Sequence, residues 1–103
     1  MKILRQAIRI NNRNAWVNNI AAEVKSVWNF PGAEDGWFVE VSIIQNKEGK
    51  VLNVTFGDNN VGDSSQAKAF LNSIERAIKK ASPLPIAPDV SVWDKNIMFM
   101  FTP

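Results

Sequence analysis

Apolar residues recur along this chain with two different periods, and the switches between them mark out its elements. Trp16, Val17, Ile20, Ala21, Val24, Val27 and Trp28 follow the i, i+3, i+4, i+7 spacing of one helix face. They predict a helix over residues 14–28, with Asn18, Asn19, Glu23 and Lys25 on its polar side. Asn11-Asn12-Arg13-Asn14 precedes it as a polar break able to cap its start. Phe30-Pro31-Gly32 predicts its end, because proline lacks an amide donor and disfavours helix just before it.

The period then drops to two. Trp37, Val39, Val41 and Ile43 share one face of a strand over residues 36–45, and Phe38, Glu40, Ser42 and Ile44 share the other. Asn46-Lys47-Glu48-Gly49 reads as a turn, with Gly49 able to take positive φ. A return strand over residues 51–56 sets Leu52, Val54 and Phe56 against Val51, Asn53 and Thr55. So short a connection predicts an antiparallel hairpin.

After a loop over residues 57–63 the helical period returns. Ala67, Phe70, Leu71, Ile74, Ala77, Ile78 and Ala81 form one stripe, with Asp63, Ser64 or Ser65 as candidate caps. Pro83, Pro85 and Pro88 predict an extended connection. In the last strand Trp93, Ile97, Phe99 and Phe101 take the inward parity, and Met98 and Met100 the outward one. The order is α-β-β-α-β. Its economical architecture is an α+β domain, a three-stranded antiparallel sheet with both helices on one face. The other face would present Phe38, Ile44, Val51, Met98 and Met100 beside Glu40, Ser42, Asn53 and Thr55. That is more apolar than a solvated face usually is, and it predicts a partner or self-association.

Charge separates two regions. Lys2, Arg5, Arg9 and Arg13 stand in the first thirteen residues without an acid, whereas residues 14–103 hold eight lysines and arginines against ten acids. The overall +2 thus belongs to an N-terminal basic extension, residues 1–13, ahead of a slightly acidic domain, residues 14–103. This argues against a nucleic-acid surface. Ile3, Leu4, Ala7 and Ile8 sit at helical spacing within the extension, as a solvated helical lead-in or a helix binding a membrane surface or a partner would. Arg5 and Arg9 interrupt any signal-peptide core, and no apolar run is long enough to cross a membrane.

Candidate chemistry is sparse. The chain has neither cysteine nor histidine, which removes disulfides, thiolate metal sites, the commonest general base and the commonest metal ligand. Asp58 to Asp63 resembles a calcium loop only superficially, since Gly62 stands at position five and Ala69 at position twelve. Glu34-Asp35 are neighbours in a loop, and Ser64-Ser65 with Lys68 lack any supporting motif. No Gly-X-X-Gly clamp lies between two helices, as an RNA-binding KH module would need. Trp16, Trp28, Trp37 and Trp93 all fall on inward positions and read as core. No catalytic, cofactor or metal residues are assigned, and the expectation is a non-enzyme.

The ordered set of Trp28 followed by Pro31, the Gly49-centred hairpin, Ala77 to Ala81 with Ser82-Pro83-Leu84-Pro85, and the ending Phe99-Met100-Phe101-Thr102-Pro103 resembles the TonB/TolA C-terminal domain family, nearer its TolA members. The resemblance covers residues 14–103. It implies a periplasmic domain of an inner-membrane-anchored protein, linking the two membranes in the Tol–Pal system. TolB and Pal are the implied partners, with colicins and the minor coat protein of filamentous phages as hijackers. A TonB-like transducer gripping receptor peptides is the alternative, and a small nucleic-acid-binding module a more distant one. With strand order second–first–third, the last strand would lie at an edge. Asn96, Ile97, Met98, Phe99, Met100 and Phe101 would then pair with an extended partner segment, Met98 and Met100 offering adaptable side chains.

Overall fold

The computed structural model describes the backbone of residues 2–103 and the side chains from Asn12 onward. Helix α1 spans Lys2–Val27, strand β1 Val39–Gln45, strand β2 Val51–Asn59, helix α2 Ser65–Ala81 and strand β3 Asn96–Phe101, with a single 3-10 turn at Val90–Val92 before β3. The three strands form one antiparallel sheet in the order β2-β1-β3. This is the expected α+β arrangement, with both helices meeting the inward face of the sheet.

Helix α1 runs through the polar stretch at residues 11–14, which therefore caps nothing. Extending an existing helix by a residue is far cheaper than nucleating a new one. Arg13 also gains a use in place, its guanidinium 3.3 Å from the Asp94 carboxylate. The lead-in residues Ile3, Leu4, Ala7 and Ile8 lie outside the described side chains. From Trp16 the helix faces the sheet, and Trp16, Ile20 and Val24 are buried at four-residue spacing. Helix α2 starts where Ser64 caps it, its hydroxyl accepting the Ala67 amide at 3.0 Å. Its buried stripe contains Phe70, Ile74, Ala77 and Ile78.

The aromatic residues meet between the layers. Trp28 stands edge-on to Phe70 and Phe101, with centroids 6.1 and 5.1 Å away, and Trp37 tilts onto Phe70 at 4.8 Å. The Trp28 indole donates to Ser73 Oγ at 2.8 Å, and that hydroxyl donates to the Phe70 carbonyl. The buried Ser73 hydroxyl is thereby satisfied on both sides, by the half-buried Trp28 and by the Phe70 carbonyl. Trp93 departs from its expected place: it precedes β3 and ends the 3-10 turn.

In β1 the alternation holds throughout, with Val39, Val41, Ile43 and Gln45 buried. In β2 it breaks. Ile44 pairs with Asn53 and Gln45 with Val51, leaving Leu52 as the extra residue of a bulge. Val51 therefore packs against the core instead of joining the open face, and Leu52, expected inward, is 56% exposed. A second irregularity lies between Val39 and Val41, where β2 continues to Asn59 through residues expected in a loop.

Candidate docking edge

The sheet has two outer edges, and they differ in kind. The β2 edge carries both bulges, and its start is covered. Past α2 the chain turns under the hairpin, where the Val51 amide donates to Ser82 Oγ at 3.2 Å. The Leu84 amide donates to the Gly49 carbonyl at 2.8 Å. Gly49 has φ 85°, and a Cβ there would stand 2.7 Å from the Leu84 carbonyl oxygen, so only glycine admits this approach. Leu84 is buried beneath the turn. Bulges and a covering segment are the devices that protect an edge from pairing.

Among the described residues, the β3 edge has neither device. Its register with β1 is unbroken from Val39↔Phe101 to Ile44↔Asn96. None of its six residues is charged. The Gln45 amide donates to the Lys95 carbonyl at 3.0 Å, which makes those two a hydrogen-bonded pair. Antiparallel pairs alternate, so Ile97, Phe99 and Phe101 turn their main-chain groups toward β1. Met98 and Met100 turn theirs to the open side. The Asn96 amide fits this phase, because it is satisfied by the Asp94 carboxylate at 3.1 Å instead of by β1.

The six expected docking residues thus divide. Ile97 and Phe101 are buried and Phe99 half-buried, and they fix the strand to the core. Met98 and Met100 are 51% and 52% exposed, so free backbone and accessible side chain coincide at the same two positions. Asn96 is exposed, and its side-chain carbonyl accepts from Ser42 at 3.4 Å. On the neighbouring strand Glu40 lies opposite Met100 and Ser42 opposite Met98. Phe38 adds a partly exposed ring to the same face. Free donors and acceptors flanked by flexible apolar side chains suit the addition of one extended segment.

Two contributors escaped the sequence pattern. The protective linker reads there only as proline spacing, because its effect depends on the long-range Gly49–Leu84 contact. The exposed aliphatic residues Ile86 and Val90 lie in the same linker and have no periodicity to betray them. Among the described residues, no cluster of three or more acidic, histidine or cysteine side chains could hold a metal ion, and no helix is long and apolar enough to cross a membrane.

The chain is thus an α-β-β-α-β domain whose sheet has one covered edge and one that the described residues leave uncovered. More particularly, the chain belongs to the TonB C-terminal family, whose model matches residues 13–101. TonB and TolA C-terminal domains are non-enzymatic interaction domains, periplasmic in general. A comparison with curated proteins gives no match.

Proposed function

We propose that this domain works in the periplasm as the docking end of an envelope-linking protein of the Tol–Pal type, itself anchored in the inner membrane. It takes an extended segment of TolB or Pal as a fourth strand beside β3, and colicins and the minor coat protein of filamentous phages exploit the same edge. The contrast between the two edges carries the reading: β2 is bulged and covered by Ser82 and Leu84, whereas β3 is regular and uncharged. Backbone pairing supplies the affinity, and Met98 and Met100 adapt to the partner's alternate side chains. Ordering a flexible partner segment offsets part of the gain and keeps affinity moderate.

Amide-shift mapping tests the reading. A TolB peptide should shift Met98, Met100 and their β3 neighbours while leaving α2 unmoved. Met98→Lys with Met100→Glu should weaken binding about tenfold or more, since charge replaces apolar contact, with stability changed by less than about 0.5 kcal/mol at exposed sites. Wild-type affinity in that double variant would overturn the edge assignment. The match to the TonB C-terminal family favours a second reading, an energy transducer that holds an outer-membrane receptor's N-terminal peptide. Preference for that peptide over the TolB peptide in the same titration would select it.

A further inference from the structure

The segment between α2 and β3 contains a feature that edge pairing does not use. Ile86, Ala87, Val90 and Trp93 line an open groove of about 220 Å³, with Lys47 of the hairpin turn at its rim. Ile86 and Val90 are 88% and 91% exposed, although their neighbours Leu84 and Val92 are buried. The loop is held firmly in this display. Trp16 Nε1 donates to the Pro85 carbonyl at 2.9 Å, and Asp89 accepts the Ser91 amide at 3.0 Å. Arg13 pairs with Asp94 and reaches the Val92 carbonyl. Fixed, exposed aliphatic side chains around a half-buried indole mark a contact site rather than a loose loop.

Size and charge define the occupant. The volume is below that of ordinary small-molecule pockets and suits one bulky side chain. Among the described residues, Lys47 is the one charged side chain lining it, and it makes no ion pair there. Trp93 lies three residues ahead of Asn96, which sets the groove near the N-terminal end of β3. We infer that the groove receives an aromatic side chain with an adjacent carboxylate, carried by the same extended partner segment that pairs with β3. The inference rests on the β3 reading for the identity of the carrier. Two linked contacts on one segment raise affinity through effective concentration, without a larger strand interface.

The test uses the whole chain with labelled Ile, Val and Ala methyls, titrated with indole-3-acetate, indole and tryptamine. Saturable shifts at Ile86, Ala87 and Val90 should be strongest with indole-3-acetate, about two- to fivefold weaker with indole and weaker again with tryptamine. Lys47→Glu should reverse the order of the two charged probes, and Ile86→Ala with Val90→Ala should abolish saturation without unfolding these exposed positions. Non-saturating shifts, or an order indifferent to Lys47→Glu, overturn the groove. Sedimentation that shows a self-associated species dissolved by Ile86→Ser would make the occupant a second copy and overturn the proposal. A peptide that shifts the Met98 and Met100 amides should then bind tighter when extended at one end by Gly-Trp-Asp, the gain vanishing in Ile86→Ala. No gain from extension at either end overturns the shared carrier. Failure of every peptide at Met98 and Met100 defeats the edge reading and the shared carrier with it, while the probe titrations still decide the groove.

Discussion

Replacing Gly49 with alanine separates two costs that usually arrive together. The residue sits at φ 85°, where a Cβ costs about 1–2 kcal/mol in a non-glycine residue. The added methyl would also meet the Leu84 carbonyl oxygen at 2.7 Å and the Leu84 nitrogen at 3.1 Å. Both are backbone atoms, so the linker has to move. Movement strains the 2.8 Å bond from the Leu84 amide, worth about 0.5–1.5 kcal/mol, and loosens a side chain that is only 2% exposed. The sum is about 2–4 kcal/mol. Gly36 provides the control: its φ is 86°, yet nothing lies within 4 Å of its virtual Cβ. Gly36→Ala should therefore show the conformational cost alone. Urea denaturation of the two variants should differ by about 1–2 kcal/mol, with Gly49→Ala the less stable. Equal losses within about 0.5 kcal/mol would refute the claim that the linker is locked onto the hairpin, and with it the account of the sealed β2 edge.

Phe101→Ala should cost about 3–5 kcal/mol in the same assay, because the ring is buried against Trp28 and Phe70. Phe99→Ala at its half-buried position should cost visibly less, and an equal cost would mean that Phe99 is more enclosed than its placement indicates. Ser64→Ala should remove the cap of α2 for about 1 kcal/mol, whereas Ser64→Asp should restore most of it; indifference to both would deny the cap a role.

Periodicity reports faces well and interruptions poorly. The inward set Val39, Val41 and Ile43, the α2 stripe and the outward pair Met98 and Met100 all follow from spacing, because each lies where the backbone stays regular. Leu52 fails for a local reason: a bulge inserts one residue without altering composition, and each side chain beyond it changes face. The polar run at residues 11–14 misleads because cap formers such as asparagine are also tolerated inside a helix once it is propagating. The hairpin pairs β1 with β2, but the long connection would allow β3 beside either of them; its expected place beside β1 comes from the family resemblance, and the sheet order is β2-β1-β3. What spacing cannot reveal is which edge is covered, since that depends on Ser82 and Leu84 meeting residues some 31 to 35 positions earlier.

The regularity of β3 has a second consequence. Asn96-Ile97-Met98-Phe99-Met100-Phe101 is six residues long, uncharged and free of proline and glycine, the composition of segments that stack into cross-β fibrils. Lys95 on one side and Pro103 on the other bracket it, as gatekeeper residues do. An uncovered regular edge is open to copies of the same strand. On the proposed docking, solubility would be coupled to occupancy: each bound segment would hide a nucleation template, and crowding of empty domains would favour stacking.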